Sequence, residues 1–101
     1  MRIVMATFPC EGAEDFAEEL LRYDLARCVQ VQRGATSIYR WGGRIHRDEE
    51  SILMIKAAED KLPDLRRRFL EMHPYEVPEF LPLVVEENGA NPAYLDWIRK
   101  P

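Results

Sequence analysis

His73, Tyr75 and Glu76 place an imidazole, a phenol and a carboxylate within four residues, and Pro74 and Pro78 fence them. Neutral imidazole is a good ligand for copper and zinc. Glu76 supplies a second donor. Each proline fixes its own φ and pushes the residue before it toward extended backbone. His73 and Val77 are therefore poor helix residues, and the stretch reads as a stiff turn that holds its polar side chains in set directions. Two donors make a weak site, because structural zinc sites generally use four. A metal here needs water or a neighbouring subunit to complete its shell. Cys28 is a third candidate, since by alternation it falls on the polar side of its strand with Gln30, and copper(I) favours a thiolate. The same residues also suit a rigid helix-to-strand connector. In that reading His73 hydrogen-bonds a backbone carbonyl, Tyr75 packs, and Cys28 is a small buried hydrophobe.

Other reactive residues carry less. His46 stands near a turn between Arg44 and Arg47, whose charges oppose cation binding, and reads as a surface histidine. Neither Cys10 nor Cys28 belongs to a Cys-x-x-Cys pair, which leaves a thiol-based metal or redox site without support. Lys56 follows the apolar run Ile52-Leu53-Met54-Ile55, so it either snorkels to the sheet edge or pairs with an acid such as Glu59 or Glu76. No Gly-rich phosphate loop, nucleophile elbow or His-Glu-x-x-His occurs, and the expectation is a protein that is not an enzyme.

These residues sit in a chain of 101, which allows one domain and roughly 60–65% of its unfolded surface buried. Hydrophobic residues make up 47% and charged ones 32%, a globular balance. A net charge of −4 argues against the phosphate backbone of nucleic acid as a partner. Arg66-Arg67-Arg68 does not reverse this, since three consecutive helical residues spread over about 200° of the circumference. No run approaches the ~20 apolar residues of a membrane span, and Met1-Arg2 leads straight into a strand-like run. The expectation is a cytoplasmic chain with reduced cysteines and no Cys10–Cys28 disulfide.

The positioning elements follow from periodicity. Ile3 to Ala6 is a short apolar run of buried-strand type. Ala13, Phe16, Ala17, Leu20 and Leu21 recur at helical spacing, with Glu11, Glu14 and Asp15 where the helix dipole favours acids. Val29 and Val31 alternate with Gln30 and Gln32 in a strand with one wet face. Arg33-Gly34-Ala35 reads as a bulge, Thr36 to Trp41 resumes the strand, and Gly42-Gly43 is a hairpin turn. The return limb runs from Arg44 to Ile55. A second helix follows, with Asp60 as its cap, Pro63 in its first turn, and an apolar stripe of Leu62, Leu65, Phe69 and Met72. Phe80 to Val85 is a last strand, which Pro82 assigns to an edge or a bulge. Asn91-Pro92 caps a short terminal helix bearing Tyr94, Leu95, Trp97 and Ile98.

The order β-α-β-β-α-β is the ferredoxin-like split βαβ arrangement, an α+β two-layer sandwich with two helices on one face of an antiparallel sheet. The other face is too apolar to meet water, and the long central hairpin carries Tyr39 and Trp41 near its tip. Such area marks an interface, so the chain is expected to be an oligomer.

Across residues 3 to 98 the sequence resembles the CutA divalent-cation tolerance family. The likeness rests on Thr7-Phe8-Pro9, Ala26-Arg27-Cys28-Val29, Ser37-Ile38-Tyr39, Trp41-x-Gly43, Ser51-x-x-x-x-Lys56, His73-Pro74-Tyr75-Glu76-Val77-Pro78 and Tyr94-Leu95-x-Trp97-Ile98 in one order. It implies a homotrimer whose sheets pack around a three-fold axis, with Tyr94 and Trp97 as interface packing. It also implies a role in tolerance of divalent metal ions, copper above all. No cofactor is obligatory, and copper(II) or another divalent cation is held weakly through His73, with Glu76 and Cys28 helping. PII signal-transduction proteins resemble this fold and trimeric form and bind small molecules between subunits. On that alternative Trp41, Lys56 and Tyr75 line a cleft for an anionic or planar ligand. A third alternative is a trimeric scaffold for a partner protein. Two positions depart from the family's pattern: Ala57 stands where threonine is usual beside the expected cleft, and Gln30 where asparagine is usual.

Overall fold

The computed structural model describes residues 1–100. Strand β1 (Arg2–Pro9) is followed by helix α1 (Ala13–Arg22), strands β2 (Cys28–Trp41) and β3 (Arg44–Ala57), helix α2 (Leu62–Met72), strand β4 (Phe80–Val84) and helix α3 (Pro92–Arg99). The four strands form one antiparallel sheet in the order β2-β3-β1-β4. That is the expected α+β architecture. No helix among the described residues is long and apolar enough to cross a membrane.

Alternation decides which side of the sheet carries the core. Val4, Ala6 and Phe8 of β1 and Leu53, Ile55 and Ala57 of β3 point to one face, where Phe16 and Leu20 of α1 and Leu65 and Phe69 of α2 close over them. All are 8% exposed or less. Ala57 is therefore core, not cleft. A threonine at this position would bury its hydroxyl beneath the helices, which corrects the expectation that the change borders a ligand site.

The opposite face is covered only at one end. There Leu95 and Ile98 of α3 pack with Met1, Ile3 and Cys28. Further along, Leu81 and Leu83 pair with Met5 and Ile3 and stay about half exposed, at 55% and 44%. The helix that covers part of this face is held by its cap: the Asn91 side chain accepts a hydrogen bond from the Ala93 backbone N–H at 3.1 Å.

Turn chemistry places the long hairpin. Gly42 and Gly43 both have positive φ, 60° and 75°, which a two-residue turn between right-twisted strands requires. The register slips between Gln32 and Ala35, at the expected bulge, with Gly34 at φ 79°. Strand β4 lies at the sheet edge, where Pro82 can do without a donor. The cap of α2 differs from expectation. Glu59–Lys61 forms a 3₁₀ turn that leads directly into the helix, so Asp60 lies inside that turn and makes no cap. Pro63 does occupy the first turn, where its missing N–H costs nothing.

Candidate functional site

Pro74 sets the geometry of the turn. His73 ends α2 with extended backbone, φ −77° and ψ 137°, as the residue before a proline must. Its ring then swings into the core, 4.9 Å from Phe8 and 5.1 Å from Phe69, and the residue is 8% exposed. Strand β4 pairs with β1 only as far as Ala6, which leaves the Thr7 carbonyl without a strand partner on that side. His73 Nε2–H fills the gap, donating to Thr7 O at 2.7 Å. On the other side of the ring, Nδ1 accepts the Tyr75 backbone N–H at 3.1 Å. One neutral tautomer satisfies both bonds, and no ring lone pair remains for a metal.

The expected donor set does not assemble within this chain. Cys28 pairs with Lys56 on β3, and Lys56 in turn faces Ile3 of β1. Thr7, on which His73 rests, is four residues further along β1, about 13 Å away at strand rise. Cys28 is half-buried under α3, packed as a small hydrophobe. Glu76 is exposed on the turn, away from both. Among the described residues no three His, Cys, Asp or Glu side chains cluster as a metal site.

Two of the three expected cleft residues do meet. Trp41 and Tyr75 line a groove of about 720 Å³ between the hairpin and the HPYEVP turn. Lys56 does not, because it sits at the far end of β3, where its Nζ donates to the Tyr94 hydroxyl at 3.2 Å. It thus pairs with neither Glu59 nor Glu76, and Glu59 instead pairs with Arg2 at 2.8 Å.

Within this one chain the groove is therefore acidic. The groove is lined by Asp48, Glu50, Glu76 and Glu79 and, among the described residues, by no lysine, arginine or histidine. Tyr39, Trp41 and Tyr75 supply its aromatic walls. Two acids are held by phenols: Tyr39 O–H donates to Asp48, and Tyr75 O–H donates to Glu50 at 2.8 Å. Burial, then the Glu50 hydrogen bond, pushes the Tyr75 phenol well above its ordinary range, so it remains a donor. Hydrogen bonding to Asp48 raises the Tyr39 phenol in the same direction. His46, expected as a surface histidine, stacks on Tyr39 at 5.4 Å and reaches the Trp41 carbonyl at 3.1 Å.

Asp48, Glu50 and Glu79 carry no site signal of their own in the sequence, where Asp48-Glu49-Glu50 reads as a charged stretch and Tyr39 reads only as a hairpin aromatic. A signal was present. A two-residue turn at Gly42-Gly43 fixes the partners outward from Trp41 and Arg44, pairing Tyr39 with His46, Ser37 with Asp48 and Ala35 with Glu50. That ladder puts the aromatics and two acids on one face of the hairpin.

Fold and groove together define a class: a ferredoxin-like α+β module with a charged, aromatic-walled groove. Comparison with known proteins places it more closely. The family model for CutA1 divalent ion tolerance protein matches residues 2–101. The chain belongs to the CutA family of divalent-cation tolerance proteins. It is 40% identical to the divalent-cation tolerance protein CutA of Thermus thermophilus over 97% of this chain and 94% of that one. It spans about half the length of the CutA proteins of Xenopus laevis and mouse, 56% and 49%. Among solved structures, the PII-like protein CutA from Nostoc sp. PCC 7120 in apo form superposes with a TM-score of 0.94 at 32% identity, covering 98% of this chain and 94% of that one. The Thermus thermophilus structure gives 0.90 at 39% identity, with 97% and 94% covered.

Proposed function

We propose that this chain serves divalent-cation tolerance as a soluble trimer that holds its cation weakly in the acidic groove. The observation that carries this reading is the sign of the groove: four carboxylates and no basic side chain among its lining residues. Carboxylate oxygens with water completing the shell suit weak, exchangeable binding of copper(II) or another divalent cation. Glu76 keeps the role expected of it, with Glu79 as a second carboxylate and water supplying the remaining ligands. His73 acts by fixing the turn that carries Glu76. The half-bare face bearing Met5, Ile52, Met54, Leu81 and Leu83 supports an oligomer, and the family resemblance supports three copies.

Calorimetric titration of the untagged, metal-stripped protein with copper(II) at neutral pH tests this. Saturable binding is expected, weakened at least tenfold in Glu76→Gln/Glu79→Gln and unchanged in Cys28→Ser. Absence of binding, or binding lost only in Cys28→Ser, would overturn the groove as the cation site.

A second reading, a PII-like sensor of a small molecule, is favoured by the aromatic walls. A bare metal ion has no use for Trp41 or Tyr75, whereas an organic ligand stacks on them. The groove's volume falls in the range of small-molecule sites.

A further inference from the structure

The ligand that the sensor reading requires has a sign, and the groove specifies it. Glu50 is 7% exposed, yet it takes a single side-chain hydrogen bond, from the uncharged Tyr75 hydroxyl, and enters no ion pair among the described residues. A buried carboxylate is costly unless a cation or several donors meet it. Here Tyr75 holds one carboxylate oxygen, and the other is not a buried, unpartnered atom, so it stays open to whatever fills the groove, water or ligand. Glu76 and Glu79, also lining the groove, are exposed and enter no ion pair among the described residues.

A weakly held metal ion would use only part of this arrangement. The carboxylates do not converge into a three-donor set. Two of them already accept tyrosine hydroxyls. The aromatic faces match something else. Trp41 is 52% exposed and Tyr75 37%, both turned toward the same space as the acids. Aromatic faces attract alkylated ammonium and guanidinium groups, while the carbon chain of such a ligand covers the ring surface. Nucleotides and other anions meet the wrong sign, since Lys56 lies elsewhere.

We infer that the groove binds an organic cation, an alkylammonium or alkylguanidinium, with its charge against Glu50, Glu76 and Glu79 and its carbon chain across Trp41 and Tyr75. The inference rests on the groove being the family's working surface in this chain, and it adds the chemical class of the ligand.

Agmatine, which carries both cationic groups on a four-carbon chain, is the probe. Calorimetry on the full chain in its native assembly is expected to show saturable binding at submillimolar concentration, with none for the uncharged analogue N-butylurea and none for ATP. Affinity should fall at least tenfold in Glu76→Gln/Glu79→Gln and several-fold in Trp41→Leu. These side chains are exposed, and circular dichroism checks that each variant stays folded. Agmatine binding that ignores Trp41→Leu would be diffuse charge attraction and would overturn the proposal. Copper binding without agmatine binding would overturn it while leaving the cation groove standing. If neither binds, both readings fall.

Discussion

His73 shows how one residue's surroundings decide its chemistry. Imidazole beside a carboxylate suggests a metal ligand, but this ring lies among phenylalanines with both nitrogens engaged in backbone hydrogen bonds. Its removal acts on folding first. His73→Ala leaves the Thr7 carbonyl and the Tyr75 N–H unpaired and opens a cavity, costing about 3 kcal/mol. The expected result is a lower denaturant midpoint with little change in slope, read by chemical denaturation. A wild-type midpoint would show that the ring's bonds and packing contribute nothing. Loss of metal binding in this variant would therefore report a disordered turn as readily as a missing ligand, which is why Glu76 and Glu79 are the better probes.

Elements position the groove, and their ends matter more than their middles. Pro74 stops α2, the early end of β4 frees the Thr7 carbonyl, and Gly42-Gly43 sets the ladder that puts Tyr39 and Trp41 beside Asp48. Helix α3 has its own device in Asn91. Asn91→Ala removes the side-chain acceptor at the first turn and is expected to cost about 1 kcal/mol. Hydrogen exchange at Ala93 and Tyr94 should speed up before that of β1. Unchanged exchange there would mean that packing of Leu95 and Ile98 alone holds the helix.

At the scale of the whole molecule, Glu87 ties the two ends of the described chain together. It accepts from the Met1 amino group and from Arg99 of α3. The Met1 ammonium, with Arg99 second, lowers its carboxyl from 4.5 to about 2. A folded value below the unfolded one means the contribution is full above about pH 4.5 and fades as pH falls toward about 2. Melting temperature measured down that range should drop more steeply for wild type than for Glu87→Gln, and the two curves should converge near pH 2. Parallel curves would show that the link adds nothing to stability, as exposed ion pairs often do not.

Local physics made much of this legible in the amino-acid order. Alternation in β1 and β3, the helical stripes of α1 and α2, the two glycines of the hairpin, Pro82 at the edge and Asn91 at a cap are short-range signals, each contained within a few residues. They determined the element order and the antiparallel sheet. The particular run of motifs carried the family. The tertiary structure decided what those signals could not. Glu50 and Tyr75 stand 25 positions apart and meet at 2.8 Å. Lys56 and Cys28 are carried to the far end of the sheet, and His73 turns inward to cap a strand that outruns its neighbour. Charge and burial depend on which distant side chains share a space, and that is fixed by strand order and register rather than by sequence neighbours. So the groove's acidic sign, the fact that bears most on ligand class, emerged only from the folded chain.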